Sequence, residues 1–187
     1  FVGECTIPLR DRKLRTIPWY VNADHPEDLF ASSQEALMSW NDAMRVALLA
    51  GRVAECRRTG EQGCEATHGW PTPWSDDFVP PLGDGPAEVR NLFVLCHNPV
   101  DPAQGDDVSV CGAAGLSPRL GDLRYNLINV IAEPQVTSPW GIMMDAEDPL
   151  SGEKISGSVN VWGAVVDRAA ASLVDLLALL NGQTSPK

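Results

Sequence analysis

The stretch Trp140-Gly141-Ile142-Met143-Met144-Asp145, followed by Asp148-Pro149-Leu150-Ser151-Gly152 and then by Ile155–Val161, decides the fold. Its middle segment is turn chemistry: Asp148 bonds its own backbone, Pro149 fixes φ, and Gly152 accepts conformations closed to other residues. The chain therefore reverses there, and Gly141–Asp145 is expected to pair with Ile155–Val161 as an antiparallel hairpin. Side chains alternate along a strand, which puts Ile142 and Met144 on one face and Met143 and Asp145 on the other. Gly141 lets another backbone approach closely.

Immediately downstream, Gly163–Leu180 reads as a helix, with Val165, Val166, Ala169, Ala170, Leu173, Leu176, Leu177 and Leu180 covering more than half its circumference and Asn181-Gly182 ending it. A helix so apolar is expected to be buried on two sides. Part of that cover is expected from a downstream segment or a partner chain.

Upstream, residues 15–22 alternate Ile17, Trp19 and Val21 against Thr16 and Tyr20, the pattern of a half-buried strand. Pro18 cannot donate to a ladder, so it belongs near the strand entry or on a free edge. A helix over residues 24–50 follows, opened by Asp24 as cap, Pro26 in the first turn and Glu27 returning the bond, and stopped by Gly51. Its apolar face is read as Leu29, Ala36, Leu37, Trp40, Ala43, Met44, Ala47 and Leu48. Residues 52–86 are rich in Gly, Pro and Cys and read as a pinned excursion. Further strands are expected at 91–96, 108–111 and 123–132, the last alternating Leu123, Tyr125 and Leu127 against Arg124, Asn126 and Ile128. The expected architecture is an α/β (α+β) domain: one mixed, twisted sheet of about five strands packed with two long helices. Residues 1–187 read as a single domain, with 1–14 an N-terminal extension and 183–187 a tail.

Composition narrows the function. Hydrophobic residues make up 44% and charged residues 21%, which is ordinary for a globular protein. With 14 Lys and Arg against 25 Asp and Glu, the formal charge is −11 and no basic cluster stands out. A nucleic-acid surface needs such a cluster, and so does an anionic membrane surface. No apolar run reaches the length that spans a bilayer. The chain opens on Phe1 rather than Met and reads as a processed or excised piece.

Five cysteines raise the question of compartment. Cys56/Cys64 and Cys96/Cys111 flank turn-rich loops, and closing loops of this kind stabilises the folded chain. As disulfides they imply an oxidising setting, periplasmic, envelope-associated or secreted. Cys5 is then left over, to stay free or to bond elsewhere. Five reduced cysteines in a cytosolic protein is the competing reading. A zinc site from Cys56, Cys64 and His68 lacks the short Cys spacing that structural zinc sites use.

Three segments together carry a resemblance. They are Ile17-Pro18-Trp19-Tyr20-Val21-Asn22 with Pro26-Glu27-Asp28-Leu29 and Trp40-Asn41-Asp42-Ala43; Gly121-Asp122-Leu123-Arg124-Tyr125-Asn126; and Asp148-Pro149-Leu150-Ser151-Gly152-Glu153. In this order they resemble the front of bacterial zinc-dependent metalloproteases of the metzincin type: an opening strand and long helix, a G-D-x-R-Y strand, and a D-P-x-[ST]-G-E hairpin ahead of the zinc helix. The resemblance implies a zincin-like N-terminal subdomain, a peptide or protein substrate, and a zinc cofactor in the parent enzyme. It also implies that Trp140, Gly141, Ile142, Met143, Met144 and Asp145 form the cleft rim whose open edge pairs with extended substrate.

The chemistry of that family needs H-E-x-x-H, in which two histidines one helical turn apart hold zinc and the glutamate activates water. None of the three histidines, His25, His68 and His97, sits in that pattern. No catalytic residue carries over, and the zinc ligands are expected outside this chain. The competing reading is a binding or structural module that keeps the framework without the chemistry. Asp101–Asp107 and Asp145–Glu153 are candidate calcium turns, though neither has the spacing of a calcium loop, and solvated acidic turns is the simpler reading.

Overall fold

The computed structural model describes residues 7–73, 75, 91–136 and 139–184. Cys5 and most of segment 74–90 lie outside the described residues. The chain divides into two compact units, Phe1–Ile17 with Gln34–Val94, and Pro18–Ser33 with Leu95–Lys187. The fold is mixed α/β. Strands β1 (Ile17–Val21), β2 (Phe93–Cys96), β3 (Asn126–Ile131), β4 (Gly141–Glu147) and β5 (Lys154–Trp162) form a five-stranded sheet in the order β2-β1-β3-β5-β4. Its helices are α1 (Phe30–Arg58), α2 (Cys64–His68), α3 (Val108–Cys111) and α4 (Gly163–Leu180).

In the first unit α1 departs from the expected boundaries and from the expected face. Asp24 does not cap it, because its carboxylate accepts a hydrogen bond from Asn22 Nδ2 at 2.6 Å, and a 3₁₀ turn at Glu27–Leu29 comes first. Gly51 does not stop it either. An added Cβ there would stand 2.8 Å from Leu9 Cδ2, so the glycine admits the N-terminal segment against the helix. Glu55 Oε1 holds that segment by accepting from Leu9 N at 2.8 Å. The buried line is Leu37, Asn41, Leu49, Val53 and Cys56, whereas Trp40 and Met44, expected inward, are exposed. Asn41 belongs on that line because its Oδ1 accepts from Leu92 N at 2.7 Å and Phe93 N at 3.3 Å at the entry to β2. Segment 52–68 is mostly helical rather than an irregular excursion. The Cys56–Cys64 disulfide joins α1 to α2 and packs with Val53 and Trp70, which removes the zinc reading of those cysteines.

In the second unit β1 and β3 run parallel with Trp19 opposite Asn126, β3 and β5 run parallel, and β4 and β5 run antiparallel. Asn22 extends the β1–β3 ladder with its side chain: Nδ2 donates to Val130 O at 3.1 Å while Oδ1 accepts from Val130 N at 2.9 Å. β5 has Gly157 where a Cβ would come 3.0 Å from the Trp19 indole, so the ring lies across the sheet. Residues 123–125, expected in a strand, form a turn instead. Asp122 accepts from Arg124 Nε at 2.9 Å and Nη2 at 2.6 Å, and the guanidinium sits 5.4 Å from the Tyr125 ring centre. Those bonds hold the Asp122 carboxyl down at about 2. The Gly-Asp-Leu-Arg-Tyr segment is thus the entry to β3 rather than the strand itself.

Val108–Cys111 is a helical turn, not a strand. Asp107 caps it by accepting from Ser109 N at 2.8 Å, and local capping outweighs the two valines. Cys111 is bridged to Cys96 with Cα atoms 5.8 Å apart.

Helix α4 spans Gly163–Leu180 as the pattern indicates, but it is not buried on two sides. A Cβ added at Gly163 would stand 3.5 Å from Val130 Cγ1, and Gly163 is the one buried residue of α4. Beyond Ala169 the helix is open, with Leu173 57% and Leu180 73% exposed. No described helix is long and apolar enough to cross a membrane.

Candidate functional site

The second unit holds two features with chemical potential. The first is the edge formed by β4. The Asp148 turn builds it: the Asp148 carboxylate accepts from Leu150 N at 2.9 Å and Ser151 Oγ at 2.7 Å, and Gly152, at φ 71°, returns its N–H to Asp148 O at 2.8 Å. The Leu150 bond comes first among the interactions holding the Asp148 carboxyl below its ordinary value. Lys154 pairs with Asp145 and Glu147 across the hairpin.

The ladder then fixes which backbone groups face β5 and which face away from it. Gly141 stands opposite Val161, and Trp162 N donates to Trp140 O at 3.2 Å, so the pair Trp140/Trp162 is hydrogen-bonded. In an antiparallel ladder bonded and non-bonded pairs alternate. Ile142 and Met144 therefore turn their N–H and C=O groups toward β5, while Gly141, Met143 and Asp145 turn theirs toward the outer side, where no described strand pairs with β4. Gly157, opposite Asp145, fits this phase by donating away from β4 to Asn126 Oδ1 at 2.9 Å. β4 is the last strand in the sheet order. Its apolar side chains stay in solvent, with Met143 61% and Met144 62% exposed. Met143 lies on the face of Gly157 and Trp19, and Met144 on the other face near Asn160.

The second feature is a pocket of about 390 Å³ at the ends of β1 and β2, lined among others by Asn22, His25, Glu27, Phe30, His97, Asn98, Asp101 and Gln104. Residues just beyond both strands meet there, so their carboxyl ends lie together. Asp106, its side chain 2% exposed, organises the loop after β2 by accepting from His97 N at 3.1 Å and Asp101 N at 2.8 Å. It also faces His97 Nδ1 at 2.8 Å. A carboxylate already serving two backbone donors accepts from the ring too, so Nδ1 is the donor and, in the neutral ring, Nε2 keeps the lone pair. Phe30 stacks on His97 at 3.8 Å between ring centres, and His25 meets Phe30 edge-on at 6.5 Å.

Burial pushes His25 below its ordinary value of 6.5. The unfolded chain takes up the proton first, so stability falls as pH drops below about 6.5 and levels off once the folded ring is protonated too. Thermal unfolding compared at about pH 7.5 and about pH 5 should show a smaller loss for His25→Gln than for the parent chain. Equal losses would mean that His25 is not held neutral.

Sequence patterns alone did not bring His25, Phe30, His97 and Asp106 together; they come from two stretches far apart in the chain, one of them running into the start of α1. The only local signal was a histidine shortly after each of two strands, His97 directly after β2 and His25 four residues after β1. Among the described residues no group of three or more His, Cys, Asp and Glu is placed to hold a metal ion. The acidic segments are engaged in their own turns: Asp101 accepts from Ala103 N and Gln104 Nε2, and Asp107 from Ser109. Comparison with protein-family models, with curated proteins and with solved structures gave no match.

Proposed function

We propose that this chain is the scaffold and one cleft wall of a secreted or envelope-associated endopeptidase of the metzincin type, and that its β4 edge pairs with extended peptide. The observation that carries the reading is the outward row of Gly141, Met143 and Asp145 backbone groups on an edge strand with apolar side chains on both faces. Strand addition draws affinity from such main-chain groups and tolerates many sequences, which suits an endopeptidase substrate. Further support comes from the order of elements: an opening strand, a long helix, an edge strand, a return strand and a second long helix. The two disulfides are compatible with an oxidising compartment.

The residues present do not fit a catalytic zinc. Helix α4 stands where the resemblance puts the zinc helix, and its polar side chains are Asp167, Arg168, Ser172 and Asp175, with no imidazole. The metal therefore belongs to polypeptide other than these residues, and the apolar surface of α4 supports a further segment or partner chain covering it. A second reading, a non-catalytic extracellular binding or structural module, is favoured by the same histidine-free helix. The endopeptidase and a binding module both need the β4 edge to take peptide, a structural module does not, and only the endopeptidase needs zinc elsewhere.

Residue-resolved amide exchange tests the shared step. A saturating heptapeptide of alternating valine and lysine, matched to the apolar edge and the −11 charge, is expected to slow exchange at Met143 and Asp145 while leaving Ile142 and Met144 little changed. Uniform slowing, or none, would contradict strand addition at this edge.

A further inference from the structure

We propose that the pocket at the carboxyl ends of β1 and β2 is a binding site for a small organic cation, an ammonium or guanidinium group, with His97 Nε2 as its main acceptor. This site is separate from the β4 edge and does not rest on the endopeptidase reading. The buried Asp106 carboxylate fixes the His97 ring through Nδ1 at 2.8 Å, which leaves Nε2 as the atom available to a ligand. A positioned imidazole of this kind, only 17% exposed at its side chain and stacked on Phe30, is held in one orientation before anything binds.

The lining decides the ligand's charge. It includes the carboxylates of Glu27 and Asp101 and contains no lysine or arginine. An anion would meet only like charge there, whereas an N–H-rich cation finds acceptors. The net charge of −11 adds a long-range field of the same sign. Asp101 keeps acceptor capacity beyond its bonds to Ala103 N and Gln104 Nε2, because a carboxylate has about four lone-pair sites. The ligand class is therefore an ammonium or guanidinium group, borne either by a free small amine or by a lysine or arginine side chain of a peptide.

The chain has three histidines, so histidine-selective NMR reads the site directly. Agmatine titrated into the intact chain is expected to shift the His97 ring resonance saturably and to leave His68 unmoved, while inorganic phosphate moves neither. His97→Gln is expected to abolish the saturable effect on the neighbouring His25 resonance. Glu27→Gln, on an exposed side chain whose loss does not threaten folding, is expected to weaken binding about threefold to fivefold. An acetylated, amidated arginine tripeptide separates the sources: tighter binding than agmatine assigns the site to a peptide side chain, equal or weaker binding to a free amine. The proposal is overturned if His97 shows no saturable shift, if His68 shifts in parallel, or if Glu27→Gln binds as tightly as the parent.

Discussion

Replacing Cys96 and Cys111 together by alanine is expected to lower stability by about 3 kcal/mol. The bridge closes a separation of 15 residues, and the chain-entropy estimate for such a loop is ~3 kcal/mol. Both cysteines are fully buried, so the substitution also removes packed sulfur from the join of β2 and α3. The same bridge brackets the loop in which Asp106 holds His97. The double variant should therefore lose the fixed His97 orientation as well as stability. Removing the Cys56–Cys64 bridge, with a separation of 8, is expected to cost less, about 2.5 kcal/mol. Urea midpoints followed by tryptophan fluorescence check the order, and a Cys96/Cys111 variant as stable as the parent would contradict it.

The second large effect is expected at Asn41. This residue is 1% exposed in the middle of α1, a place where an apolar side chain would ordinarily stand. Its Oδ1 serves two backbone donors, Leu92 N and Phe93 N. Leucine at this position has the same number and branching of heavy atoms and better helix propensity, yet it leaves both N–H groups unpaired where water has poor access. Each such loss costs about 1–3 kcal/mol, so Asn41→Leu is expected to destabilise by roughly 3 kcal/mol. Asn41→Asp keeps an acceptor oxygen in place and should cost less. Equal stability of the leucine variant and the parent would show that Asn41 does not anchor the start of β2.

These two sites also show where pattern reading succeeds and where it stops. The hairpin and α4 were legible because their signals are local: a proline and glycine turn between two short apolar runs, and a long helical run ended by Asn181-Gly182. The cysteine pairs were legible from short separations across turn-rich loops. The inward face of α1 was not. A polar residue on the buried line and a tryptophan on the open face reverse the usual rule, and the reason for Asn41 lies 51 residues away at Leu92. Gly51 looks like a helix stop until Leu9 is found crossing at that point. Residues 108–111 have strand-like valines but an aspartate cap before them, and the cap wins over so short a span. The exposure of α4 follows from what surrounds the helix, which no helical pattern encodes.

The account rests above all on the open edge of β4, and two proline variants test it most directly. Proline removes an N–H, so its effect depends on which way that N–H points. At Met143 the group faces outward, and Met143→Pro is expected to leave the hairpin folded while weakening capture of the valine–lysine heptapeptide roughly tenfold. At Ile142 the group faces β5, and Ile142→Pro is expected to break the β4–β5 ladder itself, visible as loss of thermal stability. Undiminished heptapeptide binding by a folded Met143→Pro chain would contradict peptide addition at this edge.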